Sequence, residues 1–261
     1  MALHRDHRIE QILGQLRQKG SITLEELVLS LGASAPSIRR DLARLEGQGL
    51  VKRTHGGATL VEELLYEPFR FDAAFQNREI HRTKEKRRIA AAAAELIKEN
   101  ETVGFTAGTT TTRVARNIRH RSNIKVITNA LNIGMELCNM PGIQTSVTGG
   151  EVQWAWSFSM AGEAAINFLK DRFMDKLFLG MTGIDAEHGP TVNEPEEAAT
   201  FRAMARQAKE IIAVADSSKL GIMSAALICP IENVRILVTD TGASDEMAAA
   251  FTNRGVQVLR V

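Results

Sequence analysis

Small and hydroxyl-bearing residues follow a short apolar segment in the middle of the chain and could hold an anion. The run Thr106 to Thr112 reads TAGTTTT and leads into a pattern typical of a helix. Gly108 lets the backbone approach a ligand closely, and Thr109, Thr110 and Thr111 supply hydroxyl groups. The start of a helix adds free amides and a favourable dipole, so a phosphate or a carboxylate is the expected ligand. A tight strand-to-helix turn with capping threonines explains the same residues without a ligand.

The same kind of residue recurs where other apolar segments end. These further candidates for the ligand site are Thr128, Asn129, Gly149, Gly150, Thr182, Gly183 and Lys219. An open α/β sheet binds ligands at the carboxyl ends of its strands, so these residues are expected to come together. Lys219 could place its charge on a phosphate, although an exposed loop lysine is the alternative. Glu194, Glu196 and Glu197 open another helix, where the helix dipole alone explains acidic residues.

A second set of residues, near the N-terminus, could bind DNA. The candidate contacts are Ser37, Arg39, Arg40, Arg44, Lys52, Arg53 and His55. Helical periodicity places Ser37, Arg40 and Arg44 on one face of a helix, away from the apolar face. Arginine suits this face because its guanidinium group can donate two bonds to guanine, whereas Arg39 lies between faces and suits phosphate. Lys52, Arg53 and His55 suit phosphate or minor-groove contacts, and solvated surface charges are the alternative for all of these basic residues.

These basic residues need a compact helical frame to position them. Residues 5–18 predict a helix, and Thr23 and Glu26 form a capping box that opens a second helix, which Gly32 ends. A third helix is expected from about residue 35 to residue 47, with Ile38, Leu42 and Leu45 towards the core. Two strands joined by the His55–Gly57 turn complete a winged helix-turn-helix, whose second helix enters the major groove.

From residue 83 onwards, apolar segments alternate with helical patterns. The predicted strands are 102–106, 124–128, 144–148, 176–180, 211–215, 236–239 and 257–261, and the predicted helices lie near 83–99, 110–120, 130–139, 160–170, 195–208 and 244–253. This alternation predicts an open, mainly parallel α/β sheet. The expected organisation is a small winged helix-turn-helix domain over 1–60, a linker over 61–82 and a larger α/β domain over 83–261.

Composition narrows the class of protein. Residues 1–60 hold nine basic and six acidic residues, whereas the remainder is slightly acidic, which permits a nucleic-acid partner for the first part. The two cysteines, Cys138 and Cys229, lack metal-ligand spacing, so no metal, cofactor or disulfide is expected. No run of about 20 apolar residues predicts a membrane span, and the N-terminus does not resemble a secretory signal. A reducing cytoplasm is the simplest expected setting.

Two segments near the N-terminus carry a family resemblance. Ile38–Leu42 read IRRDL and His55–Ala58 read HGGA, and with them residues 8–60 resemble the DNA-binding domain of the DeoR family of bacterial repressors. Residues 75–261 are similar to the sensor domain of that family, notably at Ala107–Thr111 (AGTTT) and Ala215–Gly221 (ADSSKLG). That domain is similar in fold to ribose-5-phosphate isomerase.

The resemblance implies a function. It implies binding to double-stranded operator DNA, negative control of carbohydrate genes, release by a sugar-phosphate effector, and a homo-oligomer such as a dimer or tetramer. The alternative is an enzyme, a phosphosugar isomerase with an accessory helix-turn-helix domain, because fold alone does not fix function. An isomerase needs a general base beside the substrate carbon, and Thr182 at the expected strand end is not one. A regulator without catalytic activity is therefore the prediction.

Overall fold

The computed structural model describes residues 5–47, 50–60, 78–153 and 158–261. Contacts within the chain divide it into two units, Met1–Phe71 and Asp72–Val261. Most of the predicted linker lies outside the described residues, and residues 78–82 contact the larger unit. The predicted boundaries at 60 and 83 stay predictions.

The described part of the smaller unit has three helices and a three-stranded antiparallel sheet. Its elements are α1 (Arg5–Lys19), β1 (Ser21–Thr23), α2 (Leu24–Leu31), α3 (Ala35–Gly47), β2 (Val51–Thr54) and β3 (Gly57–Leu60). The predicted capping box is confirmed, since the Thr23 hydroxyl accepts from the Glu26 amide and the Glu26 carboxylate accepts from the Thr23 amide. The helices bury Ile12, Leu27 and Leu45 in one core. The winged helix-turn-helix is thereby confirmed.

One strand of this unit was not predicted. Ser21–Thr23 pairs antiparallel with Gly57–Thr59 and so adds a third strand to the predicted hairpin. With only one buried apolar side chain, Ile22, this strand has too short a pattern to be predicted from periodicity. Gly57 is required here because a Cβ atom would lie 2.1 Å from the carbonyl oxygen of Ile22.

The larger unit is built on a seven-stranded parallel sheet. Its strands are β4 (Thr102–Phe105), β5 (Ile124–Thr128), β6 (Ile143–Val147), β9 (Met174–Leu179), β12 (Ala208–Val214), β14 (Val234–Thr239) and β15 (Gln257–Arg260), in the order β15-β14-β12-β9-β4-β5-β6. All seven predicted strands are confirmed, with ends that differ by up to three residues. The buried runs of β9 and β12 lie at the centre of the sheet, where helices cover both faces.

In the described part of this unit, six α-helices of seven to thirteen residues lie at the predicted places before and between the strands. They are α4 (Thr83–Glu95), α5 (Thr109–Asn117), α6 (Leu131–Leu137), α7 (Glu163–Leu169), α8 (Pro195–Arg206) and α9 (Asp245–Thr252). Short alanine side chains at Ala90, Ala93 and Ala94 let α4 pack closely on the core. In the sheet, the rings of Phe105 and Phe178 stack with their centroids 5.3 Å apart.

Two small antiparallel sheets are additions that periodicity did not indicate. One pairs β7 (Glu151–Gln153) with β8 (Ser159–Ala161), and the other joins β10 (Gly183–Asp185), β11 (Gly189–Val192) and β13 (Ala226–Leu227). Each strand has only two to four residues, too few to show an alternating pattern. Along the chain, β7 follows the carboxyl end of β6, and β10 follows that of β9.

Candidate functional sites

The third helix of the smaller unit separates into a buried and an exposed face. Ile38, Leu42 and Leu45 are buried, as predicted, whereas Arg39, Arg40 and Arg44 are exposed and Ser37 is partly exposed. The hydroxyl oxygens of Ser34 and Ser37 lie 3.0 Å apart at the start of this helix. The exposed face therefore presents three guanidinium groups, which suit phosphate and the edges of guanine.

A buried ion pair fixes this helix against the first one. The Asp41 carboxylate accepts a hydrogen bond from Arg8 Nε at 2.6 Å, and the two side chains are only 5% and 13% exposed. Sequence reasoning assigned no role to this pair because the partners lie 33 residues apart and neither follows the apolar pattern. The only local signal was an acidic residue, Asp41, directly after two basic residues on the same helix.

The wing carries the remaining candidate DNA contacts. Lys52 and His55 are exposed, whereas Arg53 already has a partner in Glu46 of α3. The Glu46 carboxylate accepts from the Arg53 backbone amide at 2.9 Å and from Arg53 Nε at 2.6 Å. These bonds lower the pKa of Glu46. Arg39, Glu46, Arg53 and His55 line a hollow of about 410 Å³ between α3 and the wing.

The larger unit contains a cavity of about 480 Å³ at the carboxyl ends of its central strands. Its lining comprises Arg78, Ala107, Gly108, Thr109, Thr110, Gly180, Met181, Thr182, Val192, Asn193, Glu197, Phe201, Val214 and Lys219. The cavity therefore brings together five of the predicted ligand-site residues, Gly108, Thr109, Thr110, Thr182 and Lys219. Apolar side chains supply part of the wall and polar groups converge at a few points, as in typical small-molecule pockets.

The start of α5 forms one wall of this cavity. The preceding Gly108 has a φ of 154° and no side chain caps the helix, so its first amides have no partner within the helix. Thr110 is 3% exposed, and its hydroxyl oxygen makes no hydrogen bond to any described residue. A buried hydroxyl group without a partner is costly unless a ligand or water supplies one.

Positively charged side chains lie in or next to the cavity, near the wall formed by the start of α5. Lys219 Nζ donates to the carbonyl oxygen of Met181 at 2.5 Å, and burial lowers the pKa of this lysine, although Asp216 opposes the effect. Behind the cavity, burial lowers the pKa of Lys86 to about 8, and the nearby charge of Lys219 acts in the same direction. With Arg78 in the lining, three cationic side chains thus lie in or next to the cavity.

An acid lies in the same lining. Glu197 is 8% exposed, and burial raises its pKa to about 7 against the opposing effects of a hydrogen bond with Ser159 and the charge of Arg78. The Ser159 hydroxyl oxygen in turn accepts from Asn129 Nδ2 at 2.9 Å. The helix dipole explained Glu197 from the sequence, and its lining position becomes evident only when α8 is placed beside β11.

The structure leaves several predicted residues outside the lining. These are Thr111, Thr128, Asn129, Gly149, Gly150 and Gly183. Thr128 donates its hydroxyl to the Phe105 carbonyl at 2.7 Å, and Asn129 accepts from the Ala107 amide at 3.0 Å, so both support the loop that leads to α5. At Gly183, a Cβ atom would lie 2.3 Å from the carbonyl oxygen of Ile222, which gives this glycine a packing role.

Thr111 and the paired glycines also have local roles. The Thr111 hydroxyl donates to the Gly108 carbonyl at 2.9 Å. Gly149 and Gly150 form the turn into β7 with φ values of 70° and 105°. At Gly150, a Cβ atom would lie 2.4 Å from the Ala161 carbonyl oxygen, so the close approach of β8 accounts for this residue.

Sequence reasoning missed four lining residues with polar or aromatic side chains: Arg78, Asn193, Glu197 and Phe201. Arg78 falls in a stretch without periodicity, so no pattern indicated where it would pack. Among the described residues, no group of three His, Cys, Asp or Glu side chains could hold a metal ion. None of the helices in the described part of the chain has the length and apolar character that a membrane crossing requires.

Comparisons with known proteins match both units. Residues 8–63 match the model of a DeoR-like helix-turn-helix domain, and residues 81–241 match that of a DeoR C-terminal sensor domain. The chain belongs to the DeoR family. The winged unit is thus the DNA-binding part of a transcriptional regulator, and the prediction of a regulator instead of an isomerase is confirmed.

Relatives of this DeoR-family chain align over nearly its whole length. The repressor GlcR of Bacillus subtilis is 31% identical over 98% of this chain and 96% of its own. The regulator GolR of Listeria innocua is 33% identical over 96% of both chains. The glycerol-3-phosphate regulon repressor of Escherichia coli is 30% identical over 95% of both.

Solved structures show a more distant likeness. A sor operon regulator from Shigella flexneri has a TM-score of 0.43 and 11% identity, and covers 65% of this chain and 89% of its own. Ribose 5-phosphate isomerase from Plasmodium falciparum has a TM-score of 0.38 and 17% identity over 51% of each chain.

Proposed function

We propose that this DeoR-family protein represses genes of carbohydrate metabolism and leaves its operator when a phosphorylated sugar or sugar derivative occupies the cavity. The observation that carries the proposal is the convergence of the uncapped start of α5, the unpartnered Thr110 hydroxyl and the cations Arg78 and Lys219 on one cavity. A relative that is a glycerol-3-phosphate regulon repressor supports a phosphorylated effector.

The phosphate group is assigned to the wall formed by Gly108, Thr109 and Thr110. Amides at a helix start point towards a bound anion, and the dipole favours negative charge there. The Thr110 hydroxyl can donate to a phosphate oxygen and so gain the partner that it lacks in the protein. Lys219 adds a positive charge that suits a phosphate more than a neutral group.

The sugar part of the effector is assigned to Glu197 and Asn193. A carboxyl group with a pKa of about 7 can accept from a hydroxyl group or donate to it near neutral pH. Phe201 and Val192 offer apolar surface for the carbon atoms of the ligand. A cavity of about 480 Å³ falls within the range that small-molecule ligands occupy.

The operator contacts are assigned to the exposed face of α3 and to the wing. Arg40 and Arg44, with Ser37, read base edges, whereas Arg39 and the wing residues Lys52, Arg53 and His55 bind phosphates. Palindromic operators require two such surfaces, so the proposal includes a homo-oligomer, either a dimer or a tetramer. Light scattering from the purified full-length chain tests this, and a monomer at working concentration would contradict it.

Release follows if the effector binds more tightly to the conformation with low operator affinity. A ligand shifts such an equilibrium only through its different affinities for the two states. Reciprocity then requires operator DNA to weaken effector binding by the same factor as effector weakens operator binding. Both directions can be measured with the full-length protein.

The test combines a thermal-shift screen with gel retardation of the DNA upstream of the gene. Ribose 5-phosphate, glucose 6-phosphate and other phosphorylated sugars are compared with the free sugars, because a ligand of the native state raises its apparent stability. The best phosphorylated compound is then added to the DNA complex. Stabilisation by phosphorylated compounds alone, with loss of retardation, is the expected result. Equal responses to free and phosphorylated sugars would contradict the phosphate assignment.

Two variants locate the site. Thr110→Ala and Lys219→Ala are expected to raise the effector concentration needed for release and to leave operator affinity unchanged. The matched controls are Thr241→Ala and Lys209→Ala, which change exposed residues that do not line the cavity. An unchanged response of both cavity variants would remove the phosphate site from the proposal.

A further inference from the structure

Residues Arg78–Arg82, which we term the strap, run along the cavity described above. Residues 78–80 are helical, and a turn leads from them into α4. Along the chain, the strap follows directly on residues 61–77, which connect it to the winged unit. Any change in the position of the strap therefore acts on the covalent connection to the DNA-binding part.

The first contact of the strap is with the cavity itself. Arg78 belongs to the lining. Its carbonyl oxygen accepts a hydrogen bond from Lys86 Nζ, and the carbonyl of His81 accepts a second one at 2.8 Å. One buried ammonium group thus holds both ends of a four-residue segment, immediately behind the cavity.

The second contact is with α5, whose first turn forms the proposed phosphate wall. The Glu79 carboxylate accepts from Arg116 Nη1 at 2.7 Å, and its carbonyl accepts from Arg113 Nη2 at 3.3 Å. The side chains of Glu79 and Arg116 are only 12% and 15% exposed. Arg116 also binds Glu136 at 2.8 Å, so it keeps an acidic partner when Glu79 is removed.

The third contact is with the turn that carries Lys219. Arg82 Nη1 donates to the Ser217 hydroxyl at 2.9 Å, and its Nε lies 3.7 Å from the Asp216 carboxylate. Arg82 has a φ of 52°, in the left-handed region that non-glycine residues seldom adopt. Its side-chain contacts therefore hold the backbone in a conformation that it would not prefer on its own.

We infer that the strap is a positioning element. It transmits the effect of ligand binding in the cavity to the chain segment that leads to the DNA-binding unit. This inference rests on the proposed function, because it takes the cavity to bind an anion. The strap contributes Arg78 to the cavity lining, and it is bonded to both elements assigned to the phosphate, α5 and the turn that carries Lys219. A ligand that draws these groups together also draws the strap against them.

Electrostatics gives the expected direction of the change. Burial is the largest cause that lowers the pKa of Lys86, and the charges of Lys219, Arg113 and Arg78 each lower it further, whereas the charge of Asp216 acts in the opposite direction. The like charges of these four cations repel one another, and a bound anion among them is expected to reduce the repulsion that Asp216 leaves uncompensated. Occupancy is therefore expected to tighten the strap and to slow the opening of its amides.

Hydrogen–deuterium exchange of the full-length protein, with and without inorganic phosphate as the probe, tests the inference. In the wild type, phosphate is expected to slow exchange of the amides at residues 79–84 by about tenfold, within the usual range for coupled sites. Glu79→Ala is expected to bind phosphate with an unchanged dissociation constant but to lose this slowing. The matched control is Glu95→Ala, which removes an exposed ion pair of α4 with Arg121 and is expected to behave as the wild type.

The outcomes separate the two proposals. Phosphate binding with equal slowing in the wild type and in Glu79→Ala would overturn the strap and leave the cavity assignment in place. Failure of the wild type to bind phosphate would overturn the cavity assignment and the strap with it. Arg82→Gln provides a second variant if Glu79→Ala unfolds, since Arg82 is half-buried and the change cuts only the third contact. The same loss of slowing is expected, and its persistence in Arg82→Gln would equally overturn the inference.

Discussion

Glu197→Gln is expected to stabilise the protein more at pH 8 than at pH 5. Glu197 lies in the cavity lining at 8% exposure, and burial raises its pKa from 4.5 to about 7. Glutamine keeps the size of the side chain and a hydrogen-bonding group for Ser159, but it has no proton to lose. The variant therefore isolates the cost of a buried negative charge.

The direction of this pH dependence follows from the number of protons that the folded and unfolded states bind. Between pH 4.5 and about pH 7, the folded state keeps the Glu197 proton that the unfolded state has lost. The free energy of unfolding of the wild type therefore falls as pH rises through this window. Each pKa unit corresponds to about 1.4 kcal/mol, so the full effect is roughly 3 kcal/mol, of which roughly 2 to 3 kcal/mol develops between pH 5 and pH 8. Glu197→Gln is expected to gain that amount relative to the wild type over the same interval.

Urea unfolding followed by circular dichroism at pH 5 and pH 8 measures this difference. All other titrating groups are common to both proteins, so their contributions cancel in the comparison. Glu196→Gln is the control, because it removes an exposed carboxylate from the same turn of α8. A difference between Glu197→Gln and the wild type that is the same at both pH values would refute the assigned burial of this charge.

Three further predictions concern the DNA-binding unit and the strap. Arg40→Ala is expected to lower operator discrimination by about 1–3 kcal/mol if it reads a base, and an unchanged footprint on operator and mismatched DNA would contradict this. Asp41→Asn is expected to destabilise the winged unit by about 1 kcal/mol, because it removes the negative charge beside Arg8 but keeps a hydrogen-bond acceptor, and chemical denaturation measures the loss. Arg82→Gly is expected to be more stable than Arg82→Ala by about 1 kcal/mol. Both variants lose the guanidinium group, but only alanine is strained by the positive φ at this position. Equal melting temperatures of the two variants would contradict this.

Regular periodicity predicted most of the fold. Strands β9, β12 and β14 of the main sheet each carry three or more consecutive apolar residues. The helices of the winged unit have an apolar face, and the second of them has a recognisable start in the Thr23 capping box. In α3, three leucine or isoleucine side chains suffice to orient the helix, and the exposed arginines follow from that orientation. Local patterns of this kind depend on burial against any core, so they do not require knowledge of the tertiary contacts.

The missed features depend on contacts between distant parts of the chain. Arg78 is held beside the cavity by the bond that its own carbonyl accepts from Lys86 and by the bond that Glu79 accepts from Arg116 of α5. Nothing in the sequence around Arg78 indicates these bonds. Glu197 occupies a helix start, where an exposed acid and a buried acid have the same local pattern. The short β10 and β11 strands exist because Gly183 pairs with Thr191 across a tight turn, which two or three residues of sequence cannot reveal.

Hydrogen-bond satisfaction explains why only some of the polar residues at the strand ends line the cavity. Asn129 uses its carbonyl oxygen on the Ala107 amide and its amide group on Ser159 and Met160, and Thr106 accepts from the Gly180 amide at 2.9 Å. Thr128 both donates to Phe105 and accepts from the Ala130 amide.

These three side chains form their hydrogen bonds with the loops that frame the site. A buried polar group needs such partners whether or not a ligand is bound. Thr110 is also buried, but its hydroxyl group makes no hydrogen bond to any described residue. All four are buried polar residues at or near the carboxyl end of a strand, so the distinction between a group that builds the site and a group left to bind a ligand lies in the partners of each side chain.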